Sequence, residues 1–142
     1  MRAQSAELVT KEVLVKLDRL MAQYIAHNDK KLPAVQPFLT ADQPVPQDEA
    51  ALRRLATANN KDFVRVLRSQ PTLARAFEAF PVRLYDEVTL HDDWGNPIVF
   101  MPSKHKDIGT ALRDRYFFFS AGPDGKYLTR DDNLYSYEVS GE

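Results

Sequence analysis

The chain has 142 residues, a formal net charge of -1 and a pI near 6.3: enough for one domain with a real core, and too little charge for a global pull toward nucleic acid or an anionic bilayer. It has no cysteine, which excludes a disulfide frame, a thiolate nucleophile and cysteine-type zinc or iron-sulfur sites. No stretch approaches the roughly 18 to 20 apolar residues of a membrane span, and "MRAQSAELVT" has neither the apolar core nor the cleavage site of a signal peptide, so this chain is expected to be soluble.

All five glycines lie at Gly95 or later, so the two halves are expected to differ in architecture. In the first stretch Ala6, Thr10, Val13, Leu17, Leu20 and Tyr24 recur at alternating steps of four and three, and Val9, Leu14, Met21 and Ile25 widen the same stripe. This predicts one amphipathic helix over about residues 3 to 28, with Lys11, Glu12, Lys16, Asp18, Arg19 and Gln23 on a solvated face. Asn28 suits a left-handed terminus and Pro33 cannot continue a helix. Four prolines between Pro33 and Pro46 predict an ordered, extended loop that packs over the helix through Val35, Phe38 and Leu39. Three short helices follow: "DEAALRRLATA" with acids in its first turn, "NKDFVRVLRSQ" opening at an Asn cap, and "PTLARAFEAF" with Pro71 at the first helical position.

After Pro81 the grammar changes to short apolar or alternating runs separated by turn residues. "VRLYDEVTL", "PIVFMPS", "RYFFFSAG" and "LYSYEVS" read as strands of a small antiparallel sheet. The first meets the second at "DDWGNP", where Gly95 supplies backbone freedom and Pro97 holds Asn96 extended. The fold class expected is therefore α+β: a long N-terminal amphipathic helix packed on a small antiparallel sheet of about three to four strands, with short helices between them. A single domain over residues 1–142 divides into a helix (1–30), a loop with short helices (31–82) and a sheet with a C-terminal loop (83–142).

Candidate chemistry is sparse. His91, Asp92 and Asp93 invite a metal-dependent or acid-dependent hydrolase reading, but adjacent residues of a strand point to opposite faces, which favours a turn acid beside a buried Trp94 that anchors a hairpin. Four consecutive aromatics at residues 116 to 119 fit a strand buried on both faces. Nucleophile-elbow, phosphate-loop and dinucleotide motifs are absent. Residues 48 to 83 carry seven bases against four acids, and such arginines more often meet solvent or an acidic protein than nucleic acid. A stand-alone soluble protein-binding module that holds a partner through these arginines is one reading of the chain.

A second reading comes from resemblance. A helix ending at "AQYIAHNDKKLP", the "DDWGNPIVF" turn and the terminal "FFFSAGPDGKYLTRDDNLYSYE" resemble the periplasmic domain of type IV pilin-like proteins, most closely the major, G-type pseudopilin of type II secretion. That family's hairpin motif is matched by Asp92, Trp94, Gly95, Asn96 and Pro97, with departures at Asp93 and Ile98. Its terminal turn and acidic pair are matched by Ser120, Gly122, Asp124, Gly125, Asp131 and Asp132. The likeness covers the N-terminal helix and residues from about 84 onward; the segment from Pro37 to Pro81 is longer and more helical than the family pattern.

The resemblance implies a non-enzymatic subunit on the periplasmic side of the inner membrane. It would polymerise with copies of itself and with minor subunits, and act with the inner-membrane platform of the secretion system; nucleic acid is not an expected partner. It also implies a leader peptide and an apolar membrane-spanning half-helix ahead of this chain's own helix. Finally, it implies a structural Ca²⁺ in the last loop, held by the carboxylates of Asp124, Asp131 and Asp132 with main-chain carbonyls near Ser120 or Leu128. A hard cation with six to eight oxygens at about 2.4 Å suits such a loop, and residues 124 to 142 hold five acids against two bases. A solvated hairpin loop, with Arg130 neutralising the acidic pair, accounts for the same residues without a metal.

Overall fold

The computed structural model describes residues 2–29, 31, 35, 38, 48–101, 116–127 and 134–136, with side chains from residue 6 onward. Helix α1 runs Arg2–His27, α2 Glu49–Arg68 and α3 Pro71–Phe77; strands β1 (Val99–Met101), β2 (Phe117–Ser120) and β3 (Leu134–Tyr135) follow. The α+β class expected from the sequence is the observed one: a long N-terminal helix, further helices and a small antiparallel sheet. No helix among the described residues is long and apolar enough to cross a membrane.

The stripe on α1 buries Thr10, Val13, Leu14, Leu17, Leu20 and Met21, with Val9, Tyr24 and Ile25 packed at its margin. Its end differs in detail from expectation. Asn28 uses its side-chain amide to satisfy the Tyr24 carbonyl at 2.7 Å, and the left-handed residue is Asp29, with φ 61°.

The two helices expected between residues 48 and 70 are one. Asp48 caps α2 by accepting from Ala50 N–H at 3.0 Å, and the helix then runs through Asn59 and Asn60 without a break. Neither asparagine caps a helix. Both are fully buried and reach the backbone of the β1 region: Asn59 donates to Phe100 O at 3.0 Å and accepts from Phe100 N at 2.8 Å. Asn60 donates to Leu90 O and Ile98 O, both at 2.7 Å, and accepts from Leu90 N at 2.9 Å. An interior amide with such partners has no reason to leave the helix for a cap. Pro71 opens α3 at its first position, as expected.

"VRLYDEVTL" is not a strand. Val82–Leu84 forms a 3₁₀ turn, and Asp86 closes a tight loop by accepting from Val88 N, Thr89 N and the Thr89 hydroxyl, each at 2.9 Å. Those backbone N–H groups hold the Asp86 carboxyl below its usual range. A self-bonding aspartate in mid-run is what folds the segment back on itself and leaves only the bridges Tyr85↔Leu90 and His91↔Pro97. Arg68 locks this corner to α2, donating to Asp86 O at 3.0 Å with its guanidinium over the rings of Phe77 and Tyr85.

The sheet is antiparallel in the order β1-β2-β3, with Phe100 opposite Phe118, Val99 opposite Phe119, and Phe119 opposite Tyr135. The two-residue alternation divides the core in two. Phe100 and Phe118 face α1, Phe63 of α2 and Phe77 of α3; Val99, Met101, Phe117, Phe119 and Tyr135 face the other way, against Phe38, Leu52 and Tyr127. β2 is thus buried on both faces, as its aromatic run implied. From the proline-rich segment, Val35 joins the α1 side, while Phe38 packs on Phe119 and Tyr127 across the sheet from the helix. Leu39 lies outside the described residues.

Candidate functional site

The two turns that carry the sequence motifs meet. Between residues 92 and 97 the chain reverses: Gly95 N donates to Asp92 O at 3.1 Å and Asp92 N to Asn96 O at 2.9 Å, with Gly95 at φ 87°. The Asp92 carboxylate, only 1% exposed, fills the inside of the reversal. Its Oδ1 accepts from Trp94 N at 3.0 Å and Asn96 N at 2.8 Å. Its Oδ2 turns to the other motif, accepting from the Ser120 hydroxyl at 2.6 Å and from Asn96 Nδ2 at 3.3 Å.

Ser120, at the end of β2, then accepts from Gly122 N at 3.0 Å, while Gly122 O accepts from Asn96 Nδ2 at 3.2 Å. One carboxylate, one hydroxyl and one amide therefore join residues 92–97 to residues 120–125. Arg53 of α2 clamps the outside, donating to Asn96 Oδ1 at 3.0 Å and Gly95 O at 3.2 Å. Tyr127 donates its hydroxyl to Pro97 O at 3.0 Å, and burial raises the pKa of that phenol. For Asp92 burial also pushes the pKa up and wins over the hydrogen bonds from Ser120, Asn96 and Trp94, which pull it down.

No protein-family model, curated protein or solved structure matches this chain.

The acidic pair does not act as a pair. While Asp92 is sealed in the latch, Asp93 faces outward and binds Arg83 through both carboxylate oxygens, Nε and Nη2 each at 2.9 Å. Its backbone N–H reaches across to Thr10 Oγ1 on α1 at 3.1 Å. Trp94 is half-buried rather than the buried anchor expected of it: Asp92 holds that place, because a turn closed by a carboxylate leaves the next side chain at the rim.

Of the five calcium ligands implied by resemblance, Leu128, Asp131 and Asp132 lie outside the described residues. Ser120 is fully buried and its hydroxyl is spent on Asp92 and Gly122. Asp124 is exposed and accepts from Lys126 N at 3.0 Å, the bond of an Asx turn. Among the described residues, no three or more His, Asp or Glu side chains group as a metal cage would need.

Sequence reasoning passed over Asn59, expected Asn60 only as a helix cap and counted Arg53 only among the surface bases. A signal existed: the asparagines stand on the apolar stripe of α2, three and four positions beyond Ala56 and ahead of Phe63, where a polar side chain must find a buried partner. A third point of the latch is testable. Gly125 has φ 70°, and a β-carbon there would stand 3.3 Å from Asn96 Oδ1, so Gly125→Ala is expected to cost about 1–2 kcal/mol in denaturant unfolding. A stability equal to wild type would mean that the turn tolerates another conformation.

Proposed function

We propose that the chain is the globular part of a pilin-like, pseudopilin-type subunit that assembles into a periplasmic filament for protein secretion. The observation that carries this reading is the 2.6 Å bond between Ser120 and Asp92. It makes the two motifs that resemble the pseudopilin signature, 28 positions apart, a single latch against a sheet that a long N-terminal helix covers. The role is mechanical and not catalytic: α1 is the assembly element, and the latch fixes the sheet on it.

The outer side of α1 suits that role. Leu8, Val15 and Leu20 of α1 with Thr72 and Ala76 of α3 line a groove of about 740 Å³ that Lys11, Glu12, Lys16 and Arg19 also border, and Leu8 is 55% exposed. A ridge of a neighbouring helix that sets apolar side chains on the floor and charged ones against this border fits such a channel. The partners are then further copies of the chain, minor pilin-like subunits and the inner-membrane platform, with an apolar half-helix upstream of this one as the membrane anchor. Calcium, held by Asp124 with Asp131, Asp132 and carbonyls near Ser120 or Leu128, would stiffen the last loop. Its expected signature is a higher melting temperature in calcium than in chelator; no difference argues against the metal.

Cysteine crosslinking tests the assembly, and residues 1–142 contribute no cysteine of their own to the background. Leu8→Cys and Thr72→Cys, carried on separate co-expressed copies of the full-length protein in its own cells, are expected to give a crosslinked dimer on oxidation in the membrane fraction. A single monomer band there would overturn the filament reading.

A further inference from the structure

α2 turns a row of bases to solvent. Arg54, Lys61 and Arg65 are spaced by seven and four positions, which aligns them along one side of the helix over roughly 16 Å. Ala50, Arg53, Thr57 and Ala58 form a shallow trough beside Arg54 and Lys61. Both of these bases are exposed, and among the described residues neither has an acid within ion-pair distance. Arg65 touches Asp62 at 3.4 Å and remains 67% exposed. The row offers no aromatic or large aliphatic side chain to a bilayer, and its trough is floored by alanine and threonine, which let a polypeptide approach closely.

The complementary charge is in the chain itself. Residues 131 to 142 carry four acids, Asp131, Asp132, Glu138 and Glu142, and no base. They flank β3, which lies at one edge of the sheet; α2 lies along the other, where Asn59 holds the outer edge of β1. The basic row thus belongs to one end of the strand order, and β3, which the acids flank in sequence, to the other. A basic face and an acidic segment carried by the same chain pair head to tail between molecules, and a head-to-tail contact repeats.

We infer that the basic face of α2 docks the acidic C-terminal segment, residues 131 to 142, of a second copy of this chain. The contact does not depend on the filament reading, since it uses neither the exposed groove of α1 nor any segment upstream. Within a filament it would join neighbouring heads side by side; without one it is a salt-sensitive self-association of the present chain.

Sedimentation velocity of the purified chain across a concentration series tests it. Association is expected at about 50 mM NaCl and is expected to weaken roughly tenfold by about 300 mM, as exposed charges are screened. Arg54→Glu with Lys61→Glu should abolish it, and so should Asp131→Lys with Asp132→Lys and Glu138→Lys. Mixing the two charge-reversed proteins should restore association between them, because each then offers what the other lacks. Arg54→Ala with Lys61→Ala, milder at exposed positions, should weaken it without changing the melting curve. A monomer at every concentration and salt, association that survives reversal, or binding to anionic vesicles in place of self-association would each overturn the inference. None of these bears on crosslinking along α1, so the two ideas fail separately.

Discussion

Asp92→Ala is expected to lower the unfolding free energy by about 3–5 kcal/mol at neutral pH, read by urea denaturation. The substitution removes the acceptor of two backbone N–H groups, the Ser120 hydroxyl and the Asn96 amide, all inside the fold. Each orphaned buried donor costs about 1–3 kcal/mol, and the sum is less than additive because Asn96 Nδ2 keeps its bond to Gly122 O. Ser120→Ala, which leaves Gly122 N alone, should cost less, about 1–2 kcal/mol. A loss under about 1 kcal/mol for Asp92→Ala would mean that the latch does not hold the two turns together.

The same residue sets a pH signature. Burial raises the Asp92 carboxyl above its ordinary range, so the folded protein keeps this proton to higher pH than the unfolded chain does. The proton-linked part of its contribution is therefore fully present below the ordinary carboxylate value and is lost as pH rises through the raised one, while the hydrogen bonds that Asp92→Ala removes still hold the turns at neutral pH. Asp92→Asn, with no proton to release, should flatten that slope. An identical pH dependence in the two proteins would remove Asp92 as its source.

What the sequence could reveal divides by the distance over which each residue's decision is made. The α1 stripe and the aromatic run of β2 are local periodicities, and burial followed them residue by residue: Leu14, Leu17 and Met21 in one element, Phe117 to Phe119 in the other. Asp86 and Asn60 depart from expectation because a short polar side chain can serve either its own backbone or a distant one. In "VRLYDEVTL", alternation suggested a strand, yet one carboxylate with three donors within three residues outweighed it. In α2, the side chain expected as a cap, Asn60, bonds 30 and 38 positions away. The site was half legible. Both motifs stood out by composition, and their union could be expected only through resemblance; the clamp by Arg53 comes from the segment the resemblance does not cover.

Asn60→Leu is the second large effect, a loss of about 2–4 kcal/mol despite similar side-chain volume. Inside the fold, this amide joins α2 to Leu90 and Ile98, supplying both a donor and an acceptor to strand-like backbone, while Arg53 bonds the turn between them from outside. Leucine would leave Leu90 N–H and Ile98 O without their amide partner in the interior, whereas Leu90 O would keep the bond from Ile98 N–H at 3.2 Å. The added apolar surface offsets part of that, which keeps the estimate below a full count of lost bonds. Asn60→Asp discriminates packing from hydrogen bonding, since it preserves shape and sets an oxygen against two carbonyls now 2.7 Å from the amide nitrogen. Such a carboxyl has its pKa raised in the fold, because the proton restores one donor. The aspartate variant should therefore come closest to wild type below the ordinary carboxylate range and fall further behind as pH rises. If leucine and aspartate both matched wild type at neutral pH, packing of Phe63, Val64 and Leu67 would suffice at this place, and Asn60 would have no part in setting the helix against the latch.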